Sequence, residues 1–404
     1  MTPAPDERDV QLIAVTGVGV LTPLGDTLEA VASALATGRS AVEPDAELAG
    51  TGMARLKDFD ATRYANVRGL RLYSRPTRLA ICAVKLALGD ARLDQAAMEP
   101  EQLGTVTAST FGHLETLIEY DRAVVTSGLA RANPALMPLS LPSTPGAAIA
   151  LAFGAKAFSI SLADAGVSSL DALGLGARLL QAGRARTCVV VGTFSPTAEL
   201  AISAMRAGML APADAFRVFD RRHRGTALGE GAAAFVLERS ADAEARGVQP
   251  SAFVTGQVST FAPDAADVPT ALRRACDRAL RAAGVAPSEV GLVSAGADGS
   301  PHGDRDEARA LIDLLGSAAG RTPVTAVKAS FGDTLDAAGL LQAAVALAAL
   351  RSGKAPPIAH LEEPDVAGLA YITRERVIEG RHALVTSRSQ TGACSALVLS
   401  ARHA

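Results

Sequence analysis

The stretch SLADAGVSSLDALGLGARLLQAG, residues 161–183, has the layout of a catalytic turn. An apolar strand over 157–162 runs into small residues, and apolar spacing predicts a helix over 167–182. A junction of this kind holds one side chain at a helix N-terminus, where thiolates and oxyanions are stabilised. The residue at its tip is Gly166, which has no side chain to present. Ser168 and Ser169 come two and three positions later, inside the expected helix, where a hydroxyl caps or packs rather than attacks.

Other chemistry-bearing residues are scattered. Cys82, Cys188, Cys276 and Cys394 have no CxxC spacing and sit among apolar or small residues, which predicts buried free thiols. His113, His223, His360, His382 and His403 show no paired spacing for a metal, so no metal site is expected. The glycine pairs GVG at 17–19 and GEG at 229–231 lack the GxGxxG pattern of a dinucleotide site. They predict close backbone approaches inside the fold. No cofactor is expected.

The 404-residue chain is 49% hydrophobic and 20% charged, so it can build a large core. Aromatic residues are 4% and Trp is absent, so Ala, Val and Leu must fill that core. The same scarcity argues against a base-stacking surface, and a net charge of −3 argues against a polyanion partner such as nucleic acid. MTPAPDERDV at the start is polar and acidic, unlike a signal peptide. The longest apolar helical stretch, 337–350, is too short for a membrane span. A cytoplasmic setting is the expectation.

The elements that must position the turn repeat once along the chain. Strands are predicted at 11–26, 103–110, 157–162, 187–194 and 231–240, with a helix near 74–94. The second half repeats the order: strand 251–260, helix 269–284, strand 290–297, helix 306–316, then strand, turn and helix over 323–350, and two closing strands near 382–387 and 395–401. Strands alternating with helices predict mainly parallel α/β sheets covered on both faces, in two halves bounded at 1–250 and 251–404.

Three fragments, in order, resemble β-ketoacyl-ACP synthases, condensing enzymes of the thiolase-like fold. VTGVGVLTPLGD at 15–26 is similar to the family's opening strand and loop. VFDRRHRGTALGEGAAAFVLE at 218–238 follows its FDxxRxGxxLGEGA hairpin, and PPIAHLEEPD at 356–365 its PPTxNLExPD loop. The resemblance implies duplicated α/β halves in a five-layer α/β/α/β/α arrangement with pseudo-twofold symmetry. It also implies a cysteine that carries the acyl chain, two histidines whose N–H groups stabilise the malonyl-derived enolate, and an acyl carrier protein as partner.

Carried over residue by residue, the resemblance finds that machinery replaced. The cysteine position falls on Gly166. The first histidine stretch, VNAHGTGTPxxD, reads VSAGADGSPHGD, with Gly296 at the histidine. The second, TKSxxGHxxGAAG, reads VKASFGDTLDAAG, with Asp333 at the histidine and Lys328 retaining the lysine. In the late loop, SFGFGGxN, the gating aromatics fall on Arg388 and Gln390 of SRSQTGAC. His302 lies six residues past Gly296, where a water-exposed loop histidine is expected. Lys328 and Asp333 are expected to pair across the turn. A cysteine installed at 166 is expected to be reactive towards iodoacetamide.

These features imply a ketosynthase homologue without its Cys-His-His set. It would be a chain-length-factor-like partner of an active ketosynthase in fatty acid or polyketide biosynthesis, including aryl-polyene assembly. A heterodimer is the expected assembly, and a homodimer the other arrangement. The competing function is an acyl-ACP- or acyl-CoA-binding enzyme with altered, non-covalent chemistry at Asp333, Lys328 or His302.

Overall fold

In a computed structural model the chain is described at residues 12–95, 98–250 and 252–402. The MTPAPDERDV stretch and His403 lie outside the described residues. Eleven strands join into one sheet: β1 (Ile13–Leu21), β2 (Leu103–Ala108), β3 (Phe158–Leu162), β4 (Thr187–Phe194), β5 (Gly231–Arg239), β6 (Ala252–Phe261), β7 (Val290–Ser294), β8 (Pro323–Thr325), β9 (Ala370–Tyr371), β10 (His382–Arg388) and β11 (Ala393–Ala401). Their spatial order is β9-β8-β7-β10-β11-β6-β1-β5-β4-β2-β3.

The order contains one pattern twice. Reading outward from the centre, β1-β5-β4-β2-β3 and β6-β11-β10-β7-β8 each begin with two antiparallel pairings and end with two parallel ones. The two halves meet where β1 pairs with β6 over three residues, Ile13 with Val254, Ala14 with Phe253 and Val15 with Ala252. The expectation of mainly parallel sheets is therefore corrected. In the second half the reason is visible in the connection: a four-residue turn, 389–392, joins β10 to β11, and so short a link permits only an antiparallel pair.

Apolar clusters define five layers. Helices Arg75–Asp90 and Thr144–Phe153 cover the outer face of the first half, and Val268–Ala283 and Pro301–Leu315 that of the second. Between the halves lie Ser168–Gln181 and Ala338–Ser352, whose side chains share one core with both. Ala338–Ser352 is buried over most of its length and, apart from Gln342 and the terminal Arg351 and Ser352, apolar around its circumference. The window Leu335–Ser352 has the length and apolarity of a membrane span, but 72% of it is buried inside the protein, which marks it as the core helix.

Small residues let these layers close. A Cβ at Gly17 would land on the carbonyl oxygen of Ala87, and one at Gly19 on that of Ala83, so β1 lies flush against the helix Arg75–Asp90. Gly229 likewise has no room for a Cβ beside the Phe331 carbonyl, as expected for GEG. Replacing Gly19 by Ala should destabilise the fold by about 1–3 kcal/mol through overpacking. A urea titration reads this out; an unchanged midpoint would mean the helix is not seated on β1.

Candidate functional site

β3 leads through Asp164 into a 3₁₀ turn, Ala165–Val167, and then the helix Ser168–Gln181. The left-handed residue of the turn is Ala165, at φ 34°, and not Gly166. The second half repeats the device with a 3₁₀ turn at Leu335–Ala337, Leu335 at φ 42°, before Ala338–Ser352. Ser168 closes the first turn by accepting the Asp164 N–H at 2.6 Å. Ser169 is fully buried in the helix. Neither serine lines the cavity described below.

Glycine at 166 is a matter of space. The C-terminal end of β10 passes directly over it. Ser387 Oγ donates to the Gly166 carbonyl at 2.5 Å, and a Cβ on residue 166 would stand 2.5 Å from the Arg388 carbonyl oxygen. The same strand end closes the second lost position. A Cβ on Gly296 would stand 2.7 Å from the Thr386 carbonyl oxygen and 3.1 Å from Ser387 Cα. The Gly296 N–H donates to Glu307 Oε1 at 2.8 Å and Thr386 Oγ1 at 3.2 Å, and Thr386 Oγ1 donates to Glu307 in turn. A cysteine at 166 would have to displace the Arg388 carbonyl, which weighs against the reactive thiol expected there.

The third position carries a charge. Asp333 Oδ1 lies 3.2 Å from Lys328 Nζ, with both side chains buried, which is the pair expected from their spacing. A second pair lies beside it. Arg388 turns inward and donates from Nη2 to Asp298 Oδ1 at 2.9 Å and to Ser300 Oγ at 2.6 Å. Burial opposes the charge on Asp298, but Arg388, Lys328 and the Ser300 hydrogen bonds hold its carboxyl well below the usual carboxylate range. Burial likewise opposes the Arg388 charge, and the surrounding Asp298, Glu307, Asp304 and Asp333 raise its pKa above the ordinary arginine value. Burial pushes the Glu307 carboxyl up.

Of these groups, Asp298, Asp333 and Arg388 line the floor of a cavity of 450 Å³. Its wall is apolar, with Phe111, Leu200, Ala204, Met209, Leu228 and Leu335. Gly166, Asp298, Asp333 and Arg388 lie at the closed end, and exposed Ser203, Ala207, Gln390 and Thr391 form the mouth. The structure brings Gly166, Asp333, Arg388 and Gln390 together around one space. Gly296 and Lys328 sit behind it. His302 is exposed, but in the first turn of the helix Pro301–Leu315 rather than in a loop, and it does not line the cavity. All four cysteines are buried and free; burial pushes Cys82 up to about 12 and Cys394 up to about 11.

Sequence reasoning overlooked Asp298, Glu307, Asp336 and the helix Ala198–Arg206, which supplies much of the wall. Asp336 joins the two turns. It accepts the Thr110 N–H and Oγ–H, each at 2.7 Å, while Thr110 Oγ1 accepts the Ala165 N–H at 2.8 Å. Ser168 also bonds to this carboxyl. The signal was available: the quoted TKSxxGHxxGAAG stretch has glycine where this chain has Asp336.

Among the described residues the cavity lining carries no thiol and no imidazole. Carboxylates only accept hydrogen bonds, so Asp333 and Asp298 place negative oxygens in the chamber where an N–H donor would have to stabilise an enolate. Arg388 lines the same floor and pairs with Asp298.

Residues 11–243 match the family model described as Beta-ketoacyl synthase, N-terminal domain, and residues 251–362 match Beta-ketoacyl synthase, C-terminal domain. The chain is similar to the tetracenomycin polyketide synthase ketoacyl synthase alpha subunit of Streptomyces glaucescens, 31% identical over 379 residues that cover 87% of this chain and 88% of that one. Among solved structures it superposes with a TM-score of 0.89 on the ishigamide ketosynthase/chain length factor, at 24% identity over 97% of this chain and all of that one. It superposes with a TM-score of 0.85 on a type II polyketide acyl-carrier protein in complex with its ketosynthase bound to the hexaketide, at 22% identity, with 97% and 100% covered. The fold is thiolase-like.

Two predictions follow from the packing and the buried carboxyl. Gly166→Cys should lower stability by about 1–3 kcal/mol, and its thiol should react with iodoacetamide only as the protein unfolds; fast labelling of the native protein would show that the strand end yields. Burial, opposed by the Thr110 and Ser168 bonds, raises Asp336 from 3.8 to about 6. The folded state therefore binds this proton more tightly than the unfolded one. That contribution is full below about pH 4 and lost as pH rises through about 6, a change of up to about 3 kcal/mol. Asp336→Asn should flatten that part of the stability profile, measured by denaturant titration between pH 4.5 and 7.5.

Proposed function

The chain belongs to the β-ketoacyl synthase family, and from that premise we propose that it is a non-condensing member, a chain-length-factor-like subunit that pairs with an active ketosynthase. The observation that carries this reading is the strand end over Gly166 and Gly296. Two of the three positions that the resemblance assigns to catalysis have no room for any side chain, and the third, Asp333, is engaged by buried Lys328. Restoring a histidine at 333 would strand the Lys328 charge, so the arrangement supports a structural use of that position.

On this reading the halves 1–250 and 251–404 act as one scaffold whose cavity holds part of a growing chain delivered on acyl carrier protein. The pathway is fatty acid or polyketide biosynthesis, aryl-polyene assembly included, and the setting is the cytoplasm. The relative solved with its acyl-carrier protein lends support to that partner. An enzyme with altered, non-covalent chemistry is disfavoured, because Lys328 and Asp333 are committed to each other and His302 stands away from the chamber.

Support for a partner subunit also comes from the surface. β3 is an unpaired sheet edge. It packs against Thr144–Phe153, which adjoins the segment of Leu114–Ser127 and the short turns that follow it. Val125, Leu129, Met137, Leu141 and Leu151 are all exposed along this region, the first at 84%. An apolar patch beside a free strand edge is a surface that soluble proteins cover.

The isolated protein, incubated with malonyl-ACP and an acyl-ACP primer, should release no β-ketoacyl product above background, since losing a whole catalytic unit leaves only residual rates. Turnover by the pure protein would overturn the reading. Co-expressed with a ketosynthase encoded beside it, the chain should elute as a heterodimer, and alone it should be poorly soluble or a weak self-dimer. Native mass spectrometry distinguishes these from a stable monomer that ignores the ketosynthase, which would refute the assembly.

A further inference from the structure

We propose that His223 is a protonation-dependent clasp that fixes the chamber floor: charged, it holds the loop 295–300 and with it Asp298, and neutral, it lets that loop loosen. The inference goes beyond the function proposed above and stands whether or not the chain pairs with a ketosynthase.

Three of the quoted motifs meet at this imidazole. The FDxxRxGxxLGEGA hairpin has arginine where this chain has His223. The closing aspartates of VNAHGTGTPxxD and PPTxNLExPD are kept, as Asp304 and Asp365. The His223 side chain is 1% exposed and lies between those two carboxylates. Nδ1 is 3.5 Å from Asp304 Oδ2, and Nε2 is 3.6 Å from Asp365 Oδ2. Nε2 is buried and makes no hydrogen bond to a described residue. A carboxylate only accepts and a neutral imidazole carries one N–H, so only the charged ring offers a donor to each side. An arginine stays charged at every working pH, whereas an imidazole is the side chain whose charge ordinarily changes near neutrality.

The two carboxylates hold the backbone that the chamber floor stands on. Asp304 Oδ1 accepts the N–H groups of Asp298 and Gly299, and Oδ2 accepts that of Phe219 at 2.7 Å. Phe219 stands at φ 58°, a costly conformation for a bulky residue, and its carbonyl accepts the Asp365 N–H at 2.8 Å. Asp298 in turn lines the chamber and pairs with Arg388. On the hairpin itself Arg221, Arg222 and Arg224 are exposed, and Asp220 accepts from Arg222 and from the Glu362 and Glu363 N–H groups. On the helix Pro301–Leu315, Arg305 pairs with Asp365, and Glu307 accepts from Gly296 and Thr386. Burial, with the charges of Asp304 and Asp365, pushes the Tyr371 phenol of β9 up, so it stays a neutral neighbour. Loss of the imidazole charge therefore leaves buried Asp304 with no cation within ion-pair distance among the described residues.

The test is hydrogen-exchange mass spectrometry of the full chain at pH 6.0 and pH 8.0, with labelling times scaled for the intrinsic exchange rate at each pH. Peptides over 295–304 should be protected at pH 6.0 and exchange about tenfold faster at pH 8.0, the scale of one charge-assisted hydrogen bond lost. His223→Arg, which restores the motif's cation, should keep 295–304 protected at both pH values. Both proteins retain Asp336, so the difference between them isolates the clasp. His223→Gln should leave 295–304 loose at both pH values; if it does not fold, the wild type and His223→Arg carry the test. Equal protection of this loop in the wild type at the two pH values overturns the clasp, and so does the same loss in His223→Arg.

Discussion

The strand end at 386–388 lies backbone-first against two glycines drawn from different halves of the chain. Ser387 fastens it to the Gly166 carbonyl, Thr386 to the Gly296 N–H, and its carbonyl oxygens fill the space in which a Cβ would stand at either position. Much of the site depends on this seat. It fixes where Arg388 leaves the strand, and therefore that its guanidinium reaches Asp298 and Ser300 rather than the cavity mouth. It holds the four-residue turn 389–392 over the chamber, with Thr391 reaching back to Asp164. The two halves of the fold are locked at the point to which the family resemblance assigns the reacting groups.

The electrostatics follow from the same closure. An interior with two neighbouring ion pairs is tolerable because each charge has a partner within hydrogen-bonding range and the two carboxylates take further donors from backbone and hydroxyl groups. Asp304 contributes by accepting the N–H groups of Asp298 and Gly299 at 3.0 and 3.1 Å, which fixes the loop carrying Asp298. What remains is a chamber with an apolar wall and a floor of paired charges, Asp298, Asp333 and Arg388.

Much of the architecture was legible in the residues. The repeat of elements is the repeat of the sheet, and the helices expected at 167–182 and 269–284 appear at Ser168–Gln181 and Val268–Ala283, because period and small-residue punctuation mark them plainly. The direction of the strands was less legible, since a run of buried Val and Ala looks the same in parallel and antiparallel pairing. At the site, the Lys328–Asp333 pair could be read from spacing, whereas the inward turn of Arg388 could not, because Asp298 is ninety residues away in the chain. Gly166 read as an empty tip. Only the structure shows that the tip is filled by another strand's backbone. Asp336 stood in plain view within a quoted motif, but its role depends on Thr110, more than two hundred residues distant.

The way the two glycines are enclosed bears on how such a chain changes over generations. A lost side chain in an open site can return by one codon change. Here a cysteine at 166 or a histidine at 296 meets main-chain atoms, so either change is first a fold defect. On the non-condensing reading proposed above, drift away from condensation is downhill and the return path is not. The enclosure then works as a ratchet, and lineages descending from such a chain are expected to elaborate its chamber and its surfaces.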